Sequence, residues 1–162
     1  MVRLIPVRVK EIAYDVMMNP VVLLIDEDNL KALPIWVGPF EAHAIAIALQ
    51  GIRLDRPITH DLLKNICDQL DVRLSMVVIN DIKENTYYAE LHIWRHDRKM
   101  VIDSRPSDAI ALALRTETPI YLSEKVAQSF LSIKDLFSDE QNPELKELFD
   151  PDHQNDQKKS LH

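Results

Sequence analysis

The sequence predicts an α+β domain built from a duplicated unit of three strands plus two helices, with a mainly antiparallel sheet and buried alanine-rich helices. Short apolar, β-branched runs separated by turn residues predict strands that follow one another in antiparallel order. Two alanine-rich segments are apolar almost all round, which is typical of helices buried on more than one side. These segments, 44–49 and 109–114, align at an offset of 65 residues and predict an internal repeat.

Seven strands are predicted from apolar patterning and from the turns between them. The acidic segment 26–29 is a turn signal, and Glu84-Asn85 and His96-Asp97-Arg98 are others. The predicted strands are residues 2–16, Val21–Ile25, Leu33–Val37, Val72–Ile82, Tyr87–Arg95, Met100–Asp103 and Pro119–Leu122.

Four helices are predicted between and after these strands. Gly38-Pro39 begins the first, because proline suits a first helical turn and Glu41 favours the positive end of the helix dipole. Its alternating Ala and Ile residues also fit a strand, but alanine is a poor strand former, so a helix is favoured. The other predicted helices begin with Thr59, Ser104 and Ser123 as N-caps and run to about Leu70, Thr116 and Phe130.

We expect one domain over residues 1–137, with repeat units at 1–70 and 71–137, followed by an acidic tail over 138–162. The tail beyond Pro151 is polar and is expected to be largely disordered. The chain has a net charge of −7, and the 7 acids and 3 lysines from Asp139 onward account for −4 of it. The remaining −3 argues against tight duplex binding but permits transient contact through a local arginine cluster.

Composition excludes several classes of site. Two glycines cannot build a glycine-rich phosphate loop, and the single cysteine, Cys67, excludes a disulfide framework and a multi-cysteine zinc site. No apolar run is long enough to suggest a membrane span, and residues 1–12 lack the apolar stretch of a signal peptide. A soluble, cytoplasmic protein is therefore expected.

Polar and ionisable residues cluster where three of the predicted helices begin, at 41–43, 56–61 and 103–108. Helix N-termini present unpaired N–H groups that favour phosphate, and arginine adds a two-pronged donor for phosphate oxygens. Carboxylates at the same place suit a hard divalent cation. His60 is suited to transfer a proton near neutral pH, with Asp61 or another carboxylate fixing its tautomer.

Each of these residues also has a purely structural explanation. Thr59 and Ser104 are simple N-caps, and Arg105 and Asp108, at i,i+3 spacing, are placed to pair with each other. His43 on an apolar helix suits a hydrogen-bonded core position. The strand residues His92, Trp36 and Trp94 suit a surface position for the histidine and packing roles for the tryptophans. Spacing alone leaves the function of the three clusters open.

Three segments at these positions resemble the signature blocks of the bifunctional nuclease family. They are LPIWVGPFEAHAIAIAL at 33–49, RPITHDLL at 56–63 and DSRPSDAIALALRT at 103–116, and the similarity covers about Val7 to Phe130. The resemblance implies a compact, duplicated α+β domain that associates as a homodimer or larger homo-oligomer. The family takes its name from plant members described as degrading RNA and DNA with little sequence preference.

The resemblance thus implies a nuclease acting on phosphodiester bonds of single-stranded DNA or RNA. Because DNA lacks the 2′-hydroxyl, water must attack phosphorus, and a divalent metal, Mg²⁺ or Mn²⁺, is the usual aid. The metal ligands expected on this hypothesis are Asp103 and Asp108, with Glu41 and Asp61 as further carboxylates. The expected catalytic residues are His60, Asp61, Asp103, Asp108 and Glu41, and the expected substrate-binding residues are Arg105, Arg56, Thr59, Ser107 and His43.

A non-catalytic, homo-oligomeric binding or regulatory module is the alternative. In it the same blocks are capped helix starts that lock the two halves together, and the alanine-rich helices pack centrally or between subunits. A site for a small phosphorylated metabolite at these helix starts is a third possibility. Convergence of Asp103, Arg105, Asp108 and His60 on an open cleft favours catalysis, whereas burial in mutual ion pairs favours the scaffold.

Overall fold

Eight strands and four helices make up the part of the chain that the structure, a computed structural model, describes, residues 2–134. They follow the predicted alternation of strands and helices, and the α+β class is confirmed. In chain order they are β1 (Leu4–Tyr14), β2 (Pro20–Asp26), β3 (Lys31–Trp36), α1 (Pro39–Leu49), α2 (Thr59–Gln69), β4 (Val72–Lys83), β5 (Thr86–Arg95), β6 (Arg98–Ser104), α3 (Pro106–Thr116), β7 (Ile120–Ser123), α4 (Glu124–Ala127) and β8 (Leu131–Ser132).

Two antiparallel meanders form most of a single sheet whose strand order is β6-β5-β4-β7-β1-β2-β3-β8. Strands β1 to β3 make the first meander and β4 to β6 the second. Strand β7 lies between them, antiparallel to β1 and parallel to β4. The order of three strands and an alanine-rich helix therefore occurs twice, and the helices of both copies begin at a proline, Pro39 and Pro106.

Strand β2 shows why the sheet has a core on both faces. Its apolar run from Val21 to Ile25 is buried throughout, with exposures of 0–2%. Since successive side chains of a strand point to opposite faces, the residues of this run alternate between the two faces of the sheet. Val22 and Leu24 join the large core that includes Ile45 of α1 and Ile110 of α3. The other face carries a smaller cluster of Ala13, Val21, Leu23, Ile25 and Ala32, against which Leu131 and Ile133 pack.

The two alanine-rich helices contact each other over the first face of the sheet. Ala109, Ala111 and Ala113 of α3 are buried at 0–1% exposure, because small side chains let neighbouring elements approach closely. Helix α1 is buried on one side only. His43 lies on its exposed side, so the interpretation of His43 as a core histidine is wrong.

Two of the three predicted serine and threonine caps are displaced by one residue. Ile58 and Arg105 occupy the N-cap positions of α2 and α3. The Ile58 N–H donates to Asp61, and Ser104 remains paired with Ala89 in the sheet, so neither Thr59 nor Ser104 caps a helix. The third prediction is confirmed, because the Ser123 hydroxyl accepts a hydrogen bond from the Val126 N–H.

The end of the described chain differs from the prediction. Helix α4 stops at Ala127 rather than near Phe130, and the two-residue strand β8 pairs with β3 at the edge of the sheet. Each of the three main helices has 11 residues, and none of the helices within residues 2–134 has the length and apolar character that crossing a bilayer requires. The predicted acidic tail, 138–162, lies outside the described residues, and the domain boundaries stay a prediction.

Candidate functional site

Arg105 joins the first turns of α1 and α3. Its Nε and Nη2 donate to Oδ2 and Oδ1 of Asp108 at 2.8 and 3.1 Å, and its Nη1 donates to Oε1 of Glu41 at 3.1 Å. Glu41 and Asp108 each stand two residues after the proline that begins their helix, so both lie in a first helical turn. One guanidinium is therefore shared by first-turn carboxylates of two helices.

His60 of α2 is a second hydrogen-bond partner of Asp108. Its Nε2 lies 2.9 Å from Asp108 Oδ1, and the residue is buried at 7% exposure. Its Nδ1 is buried without a hydrogen-bond partner in the described structure. Burial opposes ionisation of Asp108, but the hydrogen bonds from Arg105 and His60 outweigh it and lower the pKa of the Asp108 carboxyl. Asp108 is thus a carboxylate held between two donors.

An open cleft of about 360 Å³ lies beside this cluster, and we call it the Arg105 cleft. The Arg105 side chain is 63% exposed and that of Glu41 is 25% exposed. Neither α1 nor α3, both described in full, begins with a side-chain cap, so their first N–H groups have no side-chain acceptor. The residues lining the cleft are Ile35, Trp36, Val37, Gly38, Glu41, Asn85, Thr86, Tyr87, Arg105, Pro106 and Ser107.

Gly38 makes room for the Glu41 carboxylate. A Cβ placed on Gly38 would lie 2.2 Å from Glu41 Oε2, much closer than two such atoms can approach. The backbone of Gly38, at φ −73°, suits any residue, so space rather than conformation requires glycine here. Glu41 is able to fold back over the start of its own helix only because this position has no side chain.

Arg115, which the sequence analysis did not single out, ties the three main helices together. Its side chain is 6% exposed, and its Nε donates to Asp61 Oδ1 at 2.7 Å. Its Nη1 and Nη2 donate to the carbonyl oxygens of Ala111 and Ala44 at 2.8 and 3.0 Å. A lone arginine in the otherwise apolar run of α3 was the available signal, because a guanidinium buried there must find an acceptor.

Asp61 therefore pairs with a buried arginine, Arg115, whereas Asp108 pairs with the exposed Arg105. It accepts hydrogen bonds from Arg115 and from the Ile58 N–H, the latter at 3.0 Å. Burial tends to raise the pKa of the Asp61 carboxyl, but these hydrogen bonds and the charge of Arg115 lower it overall. These contacts give Asp61 a clear structural role in linking α2 to α3.

The predicted site residues are brought together only in part. Glu41, Arg105 and Ser107 line the Arg105 cleft. Asp108 accepts a hydrogen bond from Arg105, and His60 contacts Asp108 in turn. Four others are exposed and do not belong to the cleft lining within the described residues: His43, Arg56, Thr59 and Asp103. The structure thus combines both expectations, an open cleft and a set of mutual ion pairs.

The carboxylates do not form a ready divalent-metal site. Within residues 2–134 no three or more His, Cys, Asp or Glu residues are grouped to hold a metal ion. Both oxygens of Asp108 and one of Glu41 already accept hydrogen bonds, and Asp103 is exposed on β6. The arrangement therefore does not fit the expected pair of ligands, Asp103 and Asp108, and the requirement for Mg²⁺ or Mn²⁺ stays a prediction.

A known protein family matches most of the described chain. The model of the bifunctional nuclease domain matches residues 22–133. This range contains α1, α2 and α3, and with them the Arg105 cleft.

Individual relatives agree with this match. An uncharacterized protein of Mycobacterium tuberculosis is 42% identical over 130 residues, which is 80% of this chain and 77% of that protein. Bifunctional nuclease 2 of Oryza sativa subsp. japonica is 30% identical over 112 residues, and bifunctional nuclease 2 of Arabidopsis thaliana is 27% identical over 114. These matches span 67% and 68% of this chain but only 34% and 35% of the plant proteins.

Proposed function

Because the chain belongs to the bifunctional nuclease domain family, we propose that it hydrolyses phosphodiester bonds of DNA and RNA, with little sequence preference, in the Arg105 cleft. One observation carries the proposal. The largely exposed guanidinium of Arg105 stands in an open cleft where two helices begin without side-chain caps. Guanidinium groups and helix N-termini both favour phosphate oxygens.

Arg105 is the group that binds the scissile phosphate in this proposal. The hydrogen bonds from Nε and Nη2 to Asp108 keep the side chain in place. Nη1 donates to Glu41 when the cleft is empty and to a phosphate oxygen when substrate is bound. The guanidinium then also neutralises negative charge on the phosphoryl oxygens during water attack. His60 and Asp108 are positioning residues, because they act through Arg105.

Glu41 is the residue that takes a proton from water. Its carboxylate lines the cleft, and when the phosphate displaces it from Arg105 it is free to bind a water molecule next to phosphorus. Gly38 leaves the carboxylate space to move. The water oxygen bonds to phosphorus while the P–O bond to one sugar oxygen breaks, and that sugar oxygen takes a proton from solvent. A water nucleophile accounts for cleavage of both DNA and RNA, since DNA has no 2′-hydroxyl.

Sequence preference is expected to be weak because the proposed contacts are made to phosphate rather than to base edges. Affinity is also expected to be modest, because a net charge of −7 supplies no long-range attraction for a polyanion. A phosphate must in addition compete with Glu41 for Arg105.

The test is cleavage of single-stranded DNA and RNA by the purified chain, by Arg105→Ala and by Arg98→Ala, each with and without EDTA. Arg98 begins β6, roughly 20 Å along the strand from Arg105, and is the matched control for loss of one exposed positive charge. We expect Arg105→Ala to lose about 100-fold in rate and Arg98→Ala to cleave normally. Equal activity in all three proteins, prepared identically, contradicts the assignment of cleavage to Arg105.

The divalent metal is tested separately by Asp103→Asn and Asp108→Asn. If both carboxylates bind the metal, both variants lose Mg²⁺- or Mn²⁺-dependent activity. If Asp108 acts by holding Arg105, as proposed here, Asp108→Asn is impaired and Asp103→Asn is not. Loss of activity in both variants would support the metal pair and contradict this role of Asp108.

A specific surface favours the second candidate function, a non-catalytic homo-oligomeric binding module. Within α2, whose eleven residues are all described, His60 is the single buried residue. Three large apolar side chains of the helix and its C-cap residue are 42–53% exposed, and we call them the α2 apolar face: Leu62, Leu63, Ile66 and Leu70. Helix α2 thus faces the domain with His60 and Asp61 and leaves its large apolar side chains exposed.

We propose that a second copy of the chain covers the α2 apolar face, giving a homodimer or larger homo-oligomer. The spacing of three and four residues from Leu63 to Ile66 and Leu70 places them on one stripe, as in paired helices. Ile52 and Leu54, exposed by 49% and 45% in the preceding segment, enlarge the surface. A stable interface buries about 800 Å² from each partner, so residues around this stripe must also take part.

A further inference from the structure

Strand β6 is an open edge of the sheet. It comes first in the strand order, and within residues 2–134 it pairs with β5 alone. An edge strand presents a row of backbone N–H and C=O groups to which another strand can add. Natural edge strands are commonly very short or interrupted by proline or a bulge. Strand β6 has seven residues, RKMVIDS, with no proline and an unbroken register against β5, so it is suited to strand addition.

Two large apolar side chains of β6 are exposed, one on each face of the sheet. Val101 is 51% exposed and Ile102 is 46% exposed, and neighbouring residues of a strand point to opposite faces. Ile102 lies across from Leu91, which packs against the large core, whereas Val101 lies across from His92 on the other face. A strand added to β6 covers part of both side chains.

The turn between β5 and β6 sets which backbone groups of β6 face outward. Arg95 and Arg98 are register partners on either side of a two-residue turn, so they form a hydrogen-bonded pair. Hydrogen-bonded and non-hydrogen-bonded pairs then alternate along the two strands. Every second residue from Arg98 onward therefore bonds to β5, and the N–H and C=O groups of Lys99, Val101 and Asp103 point outward.

Lys99 and Asp103 carry opposite charges that β6 by itself keeps apart. Both are exposed, and the strand separates their Cα atoms by about 14 Å. Neither takes part in an ion pair among the described residues. Asp103 also lies across from a second acid, Glu90. Like charges in opposed positions destabilise a sheet, so a positive charge beside Asp103 is favoured.

We propose that β6 pairs with β6 of a second copy of this chain, antiparallel and centred on Val101. In this register Lys99 of each copy lies opposite Asp103 of the other. Met100 lies opposite Ile102, so apolar side chains also meet. The outward backbone groups of the two strands face each other, as an antiparallel pair requires. Registers centred on Lys99 or on Asp103 place like charges opposite each other instead.

The inference extends the second candidate function, a homo-oligomer, to a surface separate from the α2 apolar face. A standard interface involves roughly 20–30 residues from each partner, more than the seven of β6. We therefore expect the β6 contact to add to an oligomer held at the α2 apolar face rather than to hold two separate copies together. Each contact is two-fold symmetric, so the two contacts together give an assembly larger than a dimer.

The experiment is disulfide cross-linking of single-cysteine variants built on Cys67→Ser, which removes the natural cysteine. In the proposed register the Cα atoms of the two Val101 residues are about 5.5 Å apart, within the range of a disulfide. The Cα atoms of the two Lys99 residues are about 15 Å apart, beyond that range. With oxidised glutathione, we expect Val101→Cys to form a covalent dimer at least about 10-fold faster than the matched control, Lys99→Cys.

Reversed charges test the register in the same assay. Lys99→Asp, added to the Val101→Cys variant, places like charges together at both ends of the strand pair, so cross-linking should slow about 10-fold. Adding Asp103→Lys as well restores two pairs of opposite charge and should restore the rate, which a misfolded strand would not do. Equal rates for Val101→Cys and Lys99→Cys, an unchanged rate with Lys99→Asp, or no recovery with Asp103→Lys overturns the proposal.

Failure of the β6 contact and failure of the α2 apolar face give different results. If Val101→Cys cross-links no faster than its control while Leu63→Glu with Ile66→Glu converts an oligomer to a monomer, the α2 apolar face stands and the β6 contact does not. If Val101→Cys cross-links preferentially and the chain with both glutamates is still an oligomer, the β6 contact stands and the α2 contact does not. Neither result depends on cleavage of nucleic acid.

Discussion

Arg105 Nη1 and Glu41 Oε1 are 3.1 Å apart although these residues follow strands six positions apart in the sheet. Arg105 follows β6 at one edge, and Glu41 follows β3 near the other. In a flat sheet, strands six positions apart are separated by about 29 Å. Helices α1 and α3 return from the two edges and pack together, which brings their first turns to one place. The Arg105 cleft therefore depends on the packing of the two repeats.

Gly38→Ala tests whether the position of Glu41 matters. The added Cβ overlaps only the end of a flexible side chain, so we expect the Glu41 carboxylate to swing away from Arg105 with a loss of stability under about 1 kcal/mol. Cleavage is expected to fall about 100-fold, as in Glu41→Gln. Rates are measured on single-stranded DNA, with urea unfolding as the control. A normal rate in Gly38→Ala beside an impaired Glu41→Gln would contradict the proposed role of this geometry.

Arg115→Met is expected to destabilise the fold by about 3 kcal/mol, because it leaves Asp61 and two carbonyl oxygens without their donor. The measurement is the urea unfolding midpoint. Arg53→Met, at an exposed position before α2, is the matched control and is expected to change stability by less than about 0.5 kcal/mol. Similar midpoints for the two variants would show that the buried contacts of Arg115 contribute little.

Acid is expected to weaken the fold through Asp61. Its pKa is lowered in the folded chain, so the stability from its ionised form is complete above the ordinary carboxyl pKa of about 3.9 and is lost as the pH falls through the lower folded value. Asp61→Asn should therefore be less stable than the unsubstituted chain at pH 7. The difference in unfolding free energy should narrow below about pH 4. A difference that stays constant from pH 7 to pH 3 would show that Asp61 is not linked to folding in this way.

Leu63→Glu combined with Ile66→Glu tests the α2 apolar face. Charged side chains at the centre of the stripe oppose burial against a second copy, so we expect the unsubstituted chain to sediment as an oligomer and the double variant as a monomer. Leu30→Glu, at a residue 60% exposed in the β2–β3 turn, is the control and should remain oligomeric. An unsubstituted chain that is monomeric, or a double variant that is still oligomeric, argues against this interface.

The regular elements were predicted well because their signals are local. The apolar run of β2 and the alanine-rich segments of α1 and α3 carry their own periodicity, and each helix start is marked within a few residues by proline or an acid. The caps at Thr59 and Ser104 were displaced by one residue, because a neighbouring acid and a sheet pairing took precedence.

The site was predicted less completely because its contacts join distant parts of the chain. Arg105 and Glu41 are 64 residues apart, Arg115 and Asp61 are 54 apart, and Trp36 and Asp15 are 21 apart. The sequence marked Arg105, Glu41, Asp108 and His60 as polar residues near helix starts. The i,i+3 spacing also predicted the pair of Arg105 with Asp108, which the structure confirms. The sequence contained no signal that Arg105 also meets Glu41 or that Arg115 meets Asp61. Nor did it signal the exposure of Trp36.

By itself, the sequence determined the α+β class, the strands and helices, the family and the polar residues at the helix starts. Those properties follow from side-chain periodicity and backbone preferences within short segments. The tertiary structure alone decided that Arg105 is shared by two helices, that Asp61 belongs to a buried pair and that the apolar side of α2 faces outward. Strand order and helix packing set these relationships, and both depend on contacts between residues far apart in the chain.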